Sequence, residues 1–111
     1  MAKPSPFRGV SWHRRAKRWR SAFRYRDRDV NLGYFLDPET AAWVSDFARY
    51  LCFGMNPGKW HRKTGRPNFP PQNHPTYPRV LVISKLIETA SLTPAEVTER
   101  LAAFDSAIQV V

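Results

Sequence analysis

The sequence predicts an α+β domain: a three-stranded antiparallel sheet packed on one α-helix, followed by an irregular basic loop and two C-terminal helices. Three observations carry this expectation. The stretch Arg18 to Arg26 alternates arginines with aromatic rings at the period of a strand. The segment behind Asp37 carries an apolar stripe at helical spacing, with capping residues at both ends. The chain has 111 residues, of which 42% are apolar and 14% aromatic, enough for one modest core filled by large rings.

The central strand is the clearest element. Arg18, Arg20, Ala22, Arg24 and Arg26 fall on one face of Arg18–Arg26, and Trp19, Ser21, Phe23 and Tyr25 on the other. One face therefore suits a core and the opposite face suits anions. Phe7 to Trp12 reads as the strand before it, with His13–Lys17 as a short hairpin connector. Asp27-Arg28 reads as a tight turn into Asp29–Phe35, where Val30, Leu32 and Tyr34 share one face and Asp29 and Asn31 the other. A meander with one apolar face needs a cover, and the next segment supplies a helix. Asp37 is its N-cap, Pro38 its first residue, and Glu39 complements the dipole of the first turn. Ala41, Val44, Phe47, Ala48 and Leu51 form the stripe, Gly54 the C-cap, and Pro57 the stop beyond it.

Residues 55–79 hold six prolines (Pro57, Pro67, Pro70, Pro71, Pro75 and Pro78), so no long regular element can persist there. From Val80 the pattern changes. Val80-Leu81-Val82-Ile83, Leu86 and Ile87 suggest a helix over 80–90. Thr93 and Glu96 have capping-box spacing around Pro94, and Val97, Leu101, Phe104 and Ile108 recur helically over 94–108. This tail either packs on the main domain or offers residues 80–108 to a second copy or another protein partner. The organisation expected is a flexible arm at 1–6, a binding domain at 7–71, a proline-rich linker at 72–79 and a helical extension at 80–111.

Charge points to the partner. Lys and Arg total 18 against 9 acids, a formal net charge of +9. Ten basic and two acidic residues fall within positions 1–35, and five basic residues with no acid within 59–79. The first block is interleaved with rings, unlike an ordinary solvated face, and calls for a polyanion, above all nucleic acid. Cys52 is the sole cysteine, which excludes a disulfide scaffold and a zinc finger and suits a reducing, intracellular setting. No apolar run approaches the ~18 residues of a membrane span. The first seven residues hold no apolar signal core, so secretion is not expected. No paired carboxylates, Ser/His/Asp order or phosphate-cradling glycine loop stands out. His61 and His74 with Asn68 and Asn73 lack the spacing of a nuclease centre. Non-enzymatic function without metal, cofactor or small-molecule substrate is the expectation.

Arg20 and Arg24, in the middle of the sheet, suit bidentate bonds to guanine, and Asn31 to adenine. Arg8, Arg14, Arg15, Lys17 and Arg18 are better placed for backbone phosphates, with His13 beside them. Lys59, Arg62, Lys63 and Arg66 on the basic loop are candidates for a phosphate-contacting arm. Trp12 and Trp19 read as core rings, and Trp60 either packs or stacks on a base.

Several short motifs stand in a telling order: Phe7-Arg8-Gly9-Val10-Ser11-Trp12, Arg18-Trp19-Arg20, Leu32-Gly33-Tyr34-Phe35, a helix with Ala41-Ala42, and Asn68-Phe69-Pro70. Over about residues 5–71 the chain resembles the Apetala-two/ethylene-response-factor DNA-binding domain, closer to the prokaryotic and phage versions attached to homing endonucleases than to the plant ones. The resemblance implies a sheet lying in the major groove with the helix behind it, and DNA contacts at Arg8, His13, Arg18 and Arg24. Asp29 and Asn31 stand where plant members carry Arg and Trp, Ala22 replaces an acid, Ser11 replaces an arginine, and Gly54 to Arg66 is an insertion. The plant target sequence therefore does not transfer. The function expected is sequence-specific duplex DNA binding by a transcriptional regulator. The alternatives are a targeting accessory of a homing endonuclease or recombinase and, third, an RNA-binding module. The setting is cytoplasm and nucleoid in a prokaryote, nucleus in a eukaryote.

Overall fold

The computed structural model describes residues 5–60 and 64–109. It shows the expected α+β architecture. Strands β1 (Val10–His13), β2 (Arg18–Tyr25) and β3 (Arg28–Phe35) form an antiparallel sheet in the order β1-β2-β3. Helix α1 (Pro38–Phe53) follows, then a loop region that includes short 3-10 turns at Pro57–Lys59 and Pro71–Asn73, then α2 (Arg79–Glu88) and α3 (Pro94–Gln109).

Local signals explain the element ends. The Asp37 carboxylate accepts the Thr40 N–H at 3.2 Å, satisfying a free donor of the first turn of α1. The Gly54 N–H closes the last turn on the Tyr50 carbonyl at 3.0 Å. At α3, Thr93 N–H donates to Glu96 Oε1 at 3.0 Å and Glu96 N–H to Thr93 Oγ1 at 3.1 Å, a reciprocal capping box. The turn between β2 and β3 is Arg26-Asp27, one residue earlier than expected, with Tyr25 opposite Arg28. Both turn residues have left-handed backbones, φ 51° and 61°. That is the geometry whose twist matches the flanking strands. Strand β1 starts at Val10 instead of Phe7, because Gly9, at φ 79°, redirects the chain. The redirection turns Val10 inward, against α1, where simple alternation from Arg8 would have turned it out.

Helix α1 is more than a cover. Eleven of its 16 residues are buried. One side meets Phe23, Tyr25, Val30 and Leu32 of the sheet, and the other meets Val82, Leu86 and Phe104 of the C-terminal helices, in one contiguous core. Arg100 of α3 adds a bond from Nη1 to the Leu51 carbonyl at 3.0 Å, near the end of α1. Arg79 lies against the rings of Phe47 and Phe104 and pairs with Asp105 at 2.9 Å. The tail thus packs on the main domain. Val80 and Leu81 nevertheless remain exposed on α2.

Candidate nucleic-acid interface

The face of the sheet turned away from α1 is built row by row from the strand register. Ser11, Arg20 and Tyr34 lie side by side across the three strands; His13 stands beside Arg18, Ala22 beside Asn31, and Arg24 beside Asp29. The same register sends Val10, Trp19, Ser21, Phe23 and Val30 to the α1 side. There Ser21 Oγ donates to the Ala41 carbonyl at 2.7 Å, tying β2 to the helix.

The arginines of this face differ in what holds them. The Arg20 side chain, half-buried on the central strand, makes no hydrogen bond or ion pair among the described residues. Arg24 is braced: Nη1 lies 3.3 Å from Asp29 Oδ1 and Nη2 donates to the Asp27 carbonyl at 3.2 Å. Both partners of that ion pair are mostly exposed, 64% and 69%, so it contributes at most ~1 kcal/mol and an incoming anion can compete for the guanidinium. Arg18 folds back on the hairpin, with Nη1 3.0 Å from the Lys17 carbonyl. Arg14, Arg15 and Lys17 crown the β1–β2 hairpin and are exposed. His13 Nδ1 accepts the Ala16 N–H at 3.1 Å, which shapes that hairpin.

Arg8 is not on the sheet proper. Its backbone N–H donates to Asn68 Oδ1 at 2.8 Å, and its carbonyl accepts from Asn68 Nδ2 at 3.0 Å. Its guanidinium reaches the Arg66 carbonyl at 3.4 Å, beside Gly65. Arg66 is exposed on the same loop. Lys59 sits on the turn after α1, next to Trp60, whose ring packs against Tyr50 and Phe53. Trp60 Nε1 donates to the Gly54 carbonyl at 2.9 Å, so this ring is packed against α1. Arg62 and Lys63 lie outside the described residues.

Two features differ from the alternation read in the sequence. Ser21 pairs with Gly33 while Ala22 pairs with Asn31, so Leu32 is an extra residue in β3. Past that bulge the faces exchange. Tyr34, expected beside Val30 and Leu32 on the core face, lies on the arginine face at 43% exposure, its ring 4.9 Å from that of His13. Because β1 is only four residues long, β2 beyond Ala22 also has no partner strand on that edge among the described residues. A cleft of about 600 Å³ opens there, lined by Gly9, Arg24, Arg26, Arg49 and Thr64 among others.

A buried polar node, which the sequence reading missed, holds the loop to the sheet. Asp46 is fully buried on α1 and accepts from Arg49 Nη2 at 2.7 Å, Asn68 N–H and Nδ2 at 2.9 Å, and Phe69 N–H at 2.8 Å. Burial raises the Asp46 carboxyl above its usual range, while the bonds from Asn68 and Phe69 and the charge of Arg49 act in the opposite direction. Asn68 therefore joins this node to the backbone of Arg8. Phe69 stacks on Trp43 at 3.9 Å and touches Phe7. The signal available was the Asp46/Arg49 pair, three residues apart inside an otherwise apolar stripe.

His74 and Cys52 are interior groups. Burial pushes the Cys52 thiol up to about 12, which keeps it protonated and unreactive. His74 packs on Trp43, Phe47 and Phe104, with Nε2 2.9 Å from the Trp43 carbonyl. Burial lowers its pKa below the ordinary 6.5. The unfolded chain then binds the proton that the folded chain refuses. His74's contribution is complete above pH ~6.5 and is lost as pH falls toward the folded value, at up to about 1.4 kcal/mol per pH unit. Urea unfolding at stepped pH should show that slope in the wild type, and His74→Gln should flatten it. Parallel profiles for the two proteins would refute the assignment.

Among the described residues no three His, Cys, Asp or Glu side chains are grouped to hold a metal ion, and no helix is long and apolar enough to cross a membrane. No family model, curated protein or solved structure matches this chain.

Proposed function

We propose that this chain binds duplex DNA sequence-specifically, with the outer face of its sheet in the major groove, and acts as a transcriptional regulator. The observation that supports this most is the segregation of faces. One side of the sheet is committed to the core through α1, while the other presents Arg18, Arg20, Arg24 and Asn31 in adjacent rows, with the Arg20 side chain at the centre free of ion pairs among the described residues. Neighbouring strands are about 4.8 Å apart, so three backbones span about 10 Å, comparable with a major groove about 12 Å wide. The order of the short motifs, which resembles that of the Apetala-two/ethylene-response-factor domain, implies the same orientation. Arg14, Arg15, Lys17 and Arg18 would grip phosphates and set register, while Arg20, Arg24 and Asn31 face the bases.

Selection of bound sites from a random duplex library at about 150 mM salt tests the reading. Wild type should enrich a motif, and Arg20→Ala and Asn31→Ala should each relax one position by about 5- to 150-fold, the equivalent of ~1–3 kcal/mol. With about six phosphates neutralised, log affinity should fall with log salt at a slope near −5. Enrichment of no motif would sink the specific reading. A second reading, RNA or single-strand binding, draws support from Tyr34 and His13, rings that stand on the arginine face instead of the core face. Competition between duplex DNA and single-stranded DNA and RNA of equal length separates the two.

A further inference from the structure

The bulge at Leu32 does more than move a ring. It brings Tyr34, Asn31 and His13 together within the arginine face. The Gly33 backbone, at φ 127°, turns its N–H onto Asn31 Oδ1 at 3.1 Å. Asn31 Nδ2 donates to the Tyr34 hydroxyl oxygen at 3.5 Å. A carboxamide has two N–H donors and two oxygen lone pairs. One of each is spent internally, so one of each remains on an exposed side chain. The Gly33 N–H also decides which way round the amide sits, since a flipped amide would set N–H against N–H. Asn31 is therefore held in one orientation with a single donor and a single acceptor free. Adenine presents the matching pair in the major groove, an N7 acceptor beside an N6–H donor.

Tyr34 supplies the second half. Its ring is held edge-on by His13, at 4.9 Å and 69°, and His13 is itself held by the Ala16 N–H. An exposed aromatic ring among arginines offers a broad apolar surface in this part of the face, where Ala22, beside Asn31, adds only a half-buried methyl. The apolar group that the major groove displays is the thymine 5-methyl.

We propose that Asn31 and Tyr34 form one recognition unit for A·T pairs, with Asn31 on adenine N6 and N7 and the Tyr34 ring on the methyl of a thymine in the adjoining pair. This rests on the duplex-DNA reading and specifies which bases it selects. Tyr34 has two roles that can be separated: its ring meets the methyl, and its hydroxyl orients the Asn31 amide.

The duplex most enriched in library selection is resynthesised with one atom changed at a time. 7-Deazaadenine removes N7, and uracil in place of thymine removes the methyl. Affinities are measured by fluorescence anisotropy for wild type, Asn31→Ala, Tyr34→Ala and Tyr34→Phe. Wild type should lose at least about fivefold at one 7-deazaadenine position, a loss absent in Asn31→Ala. It should lose about fourfold at one uracil position, the worth of one buried carbon group, a loss absent in Tyr34→Ala. Tyr34→Phe should keep the uracil effect and show a reduced 7-deazaadenine effect. Equal sensitivity in wild type and variants, or an enriched motif without an A·T pair, overturns the proposal while leaving duplex binding standing. Failure of wild type to bind duplex or enrich any motif overturns the function reading itself.

Discussion

Asp46→Ala is expected to lower the unfolding free energy by about 3–5 kcal/mol. Four donor bonds converge on this carboxylate from three residues, and no water-exposed surface is available to replace it. Its removal leaves the Arg49 guanidinium, 3% exposed, as an uncompensated buried charge, and orphans the backbone N–H groups of Asn68 and Phe69. A domain of this size has only about 5–15 kcal/mol to lose, so the transition midpoint should move visibly in urea. Adding Arg49→Met to Asp46→Ala should recover part of the loss, because the unpaired charge is then gone. Asp46→Asn should fall between, since it keeps an acceptor oxygen and sets an amide against donors. A loss under about 1 kcal/mol for Asp46→Ala would show that the node contributes little.

Gly9→Ala is expected to cost about 2–4 kcal/mol. At φ 79° a side chain is strained by about 1–2 kcal/mol before any contact is counted. The added Cβ would also overlap Ser45 Oγ and sit 2.9 Å from the Ala22 carbonyl oxygen, and such overpacking adds roughly 1–3 kcal/mol. The Gly9 carbonyl accepts the Ala22 N–H at 2.9 Å, the last bond joining this end of β1 to β2. The substitution should therefore loosen the approach of Arg8 to the sheet as well. Ser45→Ala in the same chain should return part of the cost, and a double-mutant cycle in urea measures that coupling. Additive single effects would mean that backbone strain, and not the crossing of β1 over α1, governs this glycine.

Elements that depend on neighbours in the chain were legible in the residues. The alternation of Arg18 to Tyr25 shows which side of a strand is greasy, whatever it packs against. Asp37 with Pro38, Gly54, and Thr93 with Glu96 mark helix ends through bonds spanning three or four residues. The candidate face was legible for the same reason: Arg18, Arg20 and Arg24 share a parity that no other part of the chain can alter.

The placement of Tyr34 was not legible. A one-residue bulge exchanges faces for everything beyond it, and only the pairing of β3 with β2 reveals the extra residue. The Asp46 node joins residues 22 positions apart, and an acid on a helix reads as solvated until Asn68 and Phe69 arrive from the loop. The different standing of Arg20 and Arg24 likewise depends on Asp27 and Asp29 arriving across the hairpin. By itself the sequence determined the fold class, the ends of α1, the start of α3 and the sign of the exposed face, because these follow from local geometry and parity. The tertiary structure alone decided which rings join that face, which arginine stands free on it, and that α1 is a middle layer. Each of these needs two distant segments to meet before the physics that decides it exists.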